Sequence, residues 1–197
     1  HSGLDRLILS IDGTTQSSYE QYRIGGDLNK VLEGTKNLIA ARNRLKSKTP
    51  FLVFQFLVVK HNEHEIEDLR TLAGELGVDK VELKTAQVYD FVNGSELIPE
   101  QEVYSRYQRI ADGTFQIKNP MHNECWRMWQ GCVITWDGRV VPCCFDKDAE
   151  HQLGRLSGND FLSIWRGENY REFRQSILAG RDQIDICRNC TEGTKTS

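Results

Sequence analysis

Cysteine is missing from the first 124 of this chain's 197 residues; all six cysteines fall in the last third. A secreted, disulfide-stapled framework spreads its cysteines through the fold, so that class is excluded and a reduced, cytoplasmic setting is expected. Long apolar runs are missing too. The longest, Phe51 to Val59, has the length of a strand, and nothing in the opening residues reads as a signal peptide, so no membrane partner is expected. Charge of one sign is also lacking. A net charge of −3 and a pI near 6.0 leave no electrostatic footprint for nucleic acid. The densest basic run, Arg42 to Lys48, falls where a helix is expected to end, and there cations complement the helix dipole.

What is present first is an alternation of periods. Leu7 to Ile11 is a near-continuous apolar run closed by Asp12-Gly13. Leu28, Val31, Leu32, Thr35, Leu38, Ile39 and Leu45 recur at helical spacing behind a candidate cap, Asp27. Phe51 to Val59 is apolar on both faces, as a parallel strand beneath helices is. Asn62 with Glu65 resembles a capping box opening a helix through Leu76 that Gly77 stops, and Val81 with Leu83 marks a third strand. This β-α-β-α-β order predicts parallel strands with right-handed crossovers. Three strands close no barrel, and the chain begins at His1-Ser-Gly-Leu4 on the lip of a strand. The expectation is the later part of a longer α/β protein, or else a small protein that dimerises to complete its sheet.

Residues 85–124 lose periodicity and gain Pro99, Asn119 and Pro120, so they read as a linker over or across the first unit. From Cys125 the texture changes. Cys132 to Trp136 and Arg139 to Cys143 flank Asp137-Gly138 as a hairpin with a two-residue turn. Phe161 to Leu178 reads as one helix broken near Gly167, or two short ones, ended by Gly180.

Cys125, Cys143, Cys187 and Cys190 carry most of the chemistry. Their intervals are C-x17-C, then 43 residues, then C-x2-C. A C-x2-C loop lets two thiolates approach one centre, and the hairpin delivers a third and an entering fourth. Thiolates suit soft or borderline metals, so the set fits an iron–sulfur cluster or a closed tetrahedral zinc site, and ligand type alone leaves both open. Cys132 and Cys144 read as buried structural thiols, since neighbours on a strand face opposite ways. His122 is either a zinc ligand or an ordinary loop histidine. Trp126, Trp129, Trp136 and Trp165 lack the basic stripe of a base-stacking platform; Trp126, Trp136 and Trp165 are expected to form a dry shell about the metal. Ser10 and Asp12 sit at the C-terminal edge of a strand, where parallel α/β folds bind ligands, although a plain Asp-Gly turn explains them as well. Arg23 before Gly25-Gly26-Asp27 is an anion contact or a surface arginine.

Taken together these residues resemble a known family. Gly3 to Gly13 followed by Tyr19 to Arg23 and Gly25-Gly26 looks like the fourth strand and following loop of radical SAM enzymes with a SPASM or twitch auxiliary domain. Val58 to Asn62 and on to Asp79 is similar to the fifth strand, fifth helix and sixth strand. Cys125-x12-Gly138-x4-Cys143, Pro142 to Asp146, Leu153-Gly154, Ile164-Trp165 and Cys187-x2-Cys190 resemble the auxiliary domain. The resemblance implies a partial (β/α) barrel over 1–84, a linker over 85–124, and a small Cys-rich α+β auxiliary domain over 125–197. It implies that the four cysteines ligate one [4Fe–4S] cluster, in the single-cluster, twitch-like manner, because no further cysteine follows Cys190. It also implies that Ser10, Asp12 and Arg23 face S-adenosylmethionine. The family's C-x3-C-x2-C motif is absent from these residues, so the chain as it stands is expected not to start the radical reaction. The implied activity of the whole enzyme is oxidation or modification of a peptide or sugar-like small molecule, with an electron donor such as flavodoxin or ferredoxin. The other reading is a non-catalytic binding module stabilised by zinc.

Overall fold

The computed structural model describes residues 3–119, 121–158 and 160–190. His1 and Ser2 at the expected strand lip, and Pro120 in the expected linker, lie outside them. The chain divides into two units, His1–Lys118 and Asn119–Ser197.

In the first unit, β1 (Arg6–Ser10), β2 (Phe51–Val58) and β3 (Lys80–Thr85) form a parallel sheet in the order β1-β2-β3. Helices α2 (Leu28–Arg44) and α3 (Ile66–Leu76) connect them, as the alternating periods predict, and a short helix α1 (Gln16–Tyr22), capped by Thr15, stands in the stretch read from sequence as a loop. Strand β2 is central because it is apolar on both faces: Leu52, Val53, Phe54 and Phe56 are wholly inaccessible. Phe54 and Phe56 pack with Ile11, Leu28, Ile66 and Leu69 from the helices and the end of β1. Each such phenyl ring contributes roughly 2–3 kcal/mol by burial. The start of α2 is capped by Asp27, whose carboxylate accepts from the Lys30 amide at 3.2 Å.

The capping box expected at Asn62 and Glu65 does not form. Residues Glu63–Glu65 make a 3-10 turn, and the Asn62 side chain caps nothing there. It instead accepts from the Val59 amide at 2.8 Å and donates to the carbonyls of Asp12 and Leu57 at 3.0 Å each. The pattern resembles a local cap, but the polar atoms are spent on the ends of two strands, where buried backbone groups need partners.

Within residues 85–124, read from sequence as a linker, lie a 3-10 turn (Glu102–Tyr104) and an antiparallel ribbon of β4 (Tyr107–Arg109) and β5 (Phe115–Ile117), both in the first unit. The buried Glu63 carboxylate accepts from the amides of Glu100 and Gln101 at 3.2 and 2.9 Å, and so fixes this segment to the 3-10 turn before α3.

The second unit is built from shorter pieces. Helix α4 (Arg127–Gln130) precedes an antiparallel sheet of β6 (Val133–Ile134), β7 (Arg139–Val141) and β8 (Gly154–Arg155). Helices α5 (Phe161–Trp165) and α6 (Glu168–Gly180) follow, divided at Gly167 as the sequence suggests. The hairpin is present, but its turn is longer than expected. Gly138 donates to the Thr135 carbonyl at 2.9 Å with φ at 83°, so the loop is Trp136-Asp137-Gly138 rather than Asp137-Gly138 alone. A tight turn followed by a left-handed glycine is the next hairpin geometry after the two-residue form. Gly154 has a separate reason: a Cβ there would lie 2.5 Å from Ile164 Cγ2, so glycine lets α5 rest on β8. Met128, Val140, Leu153, Ile164, Tyr170 and Ile177 make the core.

The expected tryptophan shell is not formed by Trp126 and Trp136, which are 65% and 96% exposed. Trp136 projects from the hairpin loop, where no neighbouring element covers it. Trp165 does pack inward, 4.8 Å from the Tyr170 ring and with the Arg174 guanidinium 4.6 Å over its face.

Candidate metal centre

Cys125, Cys143 and Cys187 stand at or near the ends of elements, and Cys190 follows Cys187 in a turn. Cys125 precedes α4, whose first turn is closed by the Met128 amide on the Cys125 carbonyl at 3.1 Å. Cys143 follows β7, and the amides of Phe145 and Asp146 donate to its sulfur. Cys187 closes a 3-10 turn (Asp185–Cys187), and the Cys190 amide returns to the Cys187 carbonyl at 3.0 Å.

Two clamps bring distant parts of this set together. Asp146 is buried and accepts from the amides of Glu150 and His151 at 2.8 and 3.0 Å, curling the loop after Cys143. His151 Nε2 then meets Asp185 Oδ1 at 2.7 Å, which ties that loop to the turn leading into Cys187. This contact holds the Asp185 carboxyl below its usual range.

The result is that Cys143, Cys187 and Cys190 act on one another electrostatically. Burial pushes the Cys143 thiol up to about 11 against the two amides that favour its charge, with Cys144 and Cys190 adding to the rise. Burial likewise pushes Cys187 up to about 11, opposed by the Arg181 guanidinium. Thiols in such surroundings stay protonated at neutral pH unless a metal takes the proton's place. Among the described residues no group of three or more His, Cys, Asp or Glu side chains is placed to hold a metal ion. The donor set nonetheless suits a soft metal or an iron–sulfur cluster: neighbouring thiols, amides aimed at sulfur, and a cation beside one thiol.

That cation, Arg181, is the site residue the sequence reading missed. It follows α6 directly and is 0% exposed. Its backbone amide donates to Asn123 Oδ1 at 3.0 Å, its Nη1 donates to the Glu124 carbonyl at 2.7 Å, and its side chain bonds Cys187. A lone arginine after a helix looks like any surface arginine; only its place six residues before Cys187 offers a signal.

Of the remaining candidates, His122 is exposed, and Cys144 is exposed rather than buried as expected. Cys132 is partly buried beside the Tyr170 hydroxyl. Cys132, Cys143 and Cys144 border one cleft of about 210 Å³ with Arg127 and Gln130.

At the sheet edge of the first unit, Asp12 and Arg23 are brought together. Asp12 is 1% exposed; its Oδ2 accepts from Arg23 Nε at 2.6 Å and its Oδ1 from the Leu57 amide at 2.7 Å. Ser10 ends β1 opposite Gln55. Glu65, also buried, accepts from the Thr14 amide and the Ser18 hydroxyl at 2.8 and 2.9 Å, which fixes the loop leading to α1. Neither Asn62 nor Glu65 was assigned a place in this network from sequence, because their partners lie about fifty positions away.

Comparison with known proteins bears on both units. Residues 125–191 match the SPASM family, an iron–sulfur cluster-binding domain. The chain's C-terminal unit thus carries a cluster-binding domain of that type. Across most of its length the chain is similar to a GTP 3',8-cyclase of Alkaliphilus oremlandii (strain OhILAs), with 26% identity over 90% of this chain and 57% of the relative. The chain spans little more than half the length of this curated relative. Among solved structures, BtrN in an open conformation aligns over 96% of this chain and 92% of that one, at 15% identity and a TM-score of 0.33. BtrN in complex with AdoMet and 2-DOIA aligns over 95% and 72%, at 18% identity and a TM-score of 0.33. These two likenesses are too loose to define a shared fold.

Proposed function

We propose that the chain is part of a radical SAM enzyme with one auxiliary [4Fe–4S] cluster, held by Cys125, Cys143, Cys187 and Cys190. The observation that carries this reading is the SPASM match over 125–191, which spans all four cysteines, three of which already share one electrostatic environment. A bound cluster of this kind supplies one-electron transfer. Four thiolate ligands leave no iron open to a substrate, which favours electron transfer or scaffolding over direct ligation. Zinc accepts the same ligands, but the iron–sulfur match speaks against it.

The first unit then contributes strands of a partial (β/α) barrel. Both Asp12 oxygens are committed inside the protein, so Asp12 orients Arg23 rather than meeting a ligand itself. Arg23 retains its Nη groups at the sheet edge, and a guanidinium fork suits a carboxylate such as the amino-acid end of S-adenosylmethionine. Ser10 lies on the same edge. The substrate is a peptide or a sugar-like small molecule, and flavodoxin or ferredoxin supplies electrons to the whole enzyme. GTP, named for the cyclase relative, is a further candidate.

The test is iron, zinc and acid-labile sulfide per chain, on protein purified without oxygen. About four iron and four sulfide support the reading. One zinc without sulfide replaces it with the zinc-stabilised module.

A further inference from the structure

We infer that Arg181 is a positioning residue that makes the cluster site an electron acceptor rather than an inert scaffold. This rests on the proposed cluster and goes beyond it, since four cysteines alone do not choose between those roles.

The geometry gives Arg181 two tasks. It ties the entry to Cys125 onto the end of α6, through Asn123 Oδ1 at 3.0 Å and the Glu124 carbonyl at 2.7 Å. It also reaches forward to the Cys187 sulfur. One side chain therefore bridges the segments that deliver the first and third proposed ligands. Its charge is set apart from others nearby. Asp182, Asp185 and Arg188 are exposed, where water and salt screen them, whereas Arg181 is fully buried.

Adding an electron to a thiolate-bound cluster increases its negative charge. A fixed buried cation touching one ligand stabilises that added charge more than the state before it, and a hydrogen bond to sulfur acts in the same direction. A purely structural arginine would hold the segments together without this bias. Arg181 thus raises the midpoint potential and also slows loss of iron.

The experiment is an anaerobic redox titration of the reconstituted chain, with dithionite supplying one electron per cluster and the reduced state read by electron paramagnetic resonance. Wild type, Arg181→Lys and Arg181→Met are compared, and iron release to a chelator is timed in parallel. Arg181→Met is expected to have a lower midpoint than wild type and to release iron at least ~10-fold faster. Arg181→Lys keeps the charge, so its midpoint stays near wild type while iron release quickens through loss of the fork. Equal midpoints in wild type and Arg181→Met overturn the inference, as do equal shifts in both variants. If Arg181→Met does not fold, iron release from Arg181→Lys at the wild-type rate overturns it. A wild type without iron refutes the cluster itself, a separate outcome.

Discussion

The two units stabilise themselves by different means. The first has a central strand buried on both faces, with phenyl rings, leucines and isoleucines packed around it. Its buried polar groups pair with one another: Asp12 with Arg23 and the Leu57 amide, Asn62 with two strand ends, Glu65 with Thr14 and Ser18. The second has strands of two or three residues and a smaller core, and it buries thiols and a guanidinium instead. With the proposed cluster bound, such a unit would gain from the metal what the first gains from apolar area.

The sharpest way to break this contrast is Cys187→Ala. It is expected to abolish iron binding and loosen residues 125–190 while the thermal transition of the first unit stays in place; iron analysis with circular dichroism checks both. Full iron content in this variant would remove Cys187 from the ligand set. Phe54→Ala is the converse. It should destabilise the first unit by about 3–5 kcal/mol, read by urea unfolding, with iron content unchanged.

Asp12→Ala comes next. It leaves the Leu57 amide and the Arg23 guanidinium without their carboxylate and should cost about 2–3 kcal/mol in the same assay. Gly138→Ala forces a side chain into the left-handed region and should cost the second unit ~1 kcal/mol.

The smallest effect is a pH dependence. Burial opposes the charge of Asp79, but the Arg42 guanidinium and the Leu52 amide outweigh it and lower its pKa. A depressed folded pKa means that this stabilisation is complete above the unfolded value of about 3.9 and is lost as pH falls through the folded one. The urea midpoint of the first unit should therefore decline in acid below about pH 4, and Asp79→Asn should flatten that decline.

The same contrast explains what was legible in the sequence. Strand β2, helix α2 and its Asp27 cap, and the division at Gly167 follow from local period and local bonds, which sequence displays directly. The cysteine spacing and the Leu153-Gly154 and Ile164 motif were legible as well, and the latter has a steric cause in the 2.5 Å approach of Ile164 to Gly154. Asn62 and Glu65 were misread because a capping box and a long-range lock use the same residues at the same spacing. Trp136 was misread because aromatic content says nothing of which way a loop points. Arg181 was missed because its role depends on burial beside Cys187 and on carbonyls more than fifty positions away. Strand β8, two residues long, has no period to read.

The proposed cluster organises the second unit alone. The most direct test is amide hydrogen exchange on the chain before and after anaerobic reconstitution with iron and sulfide. Exchange across residues 125–190 should slow at least ~10-fold on reconstitution while that of 51–58 stays unchanged. No iron uptake, or protection that rises equally in both units, would contradict it.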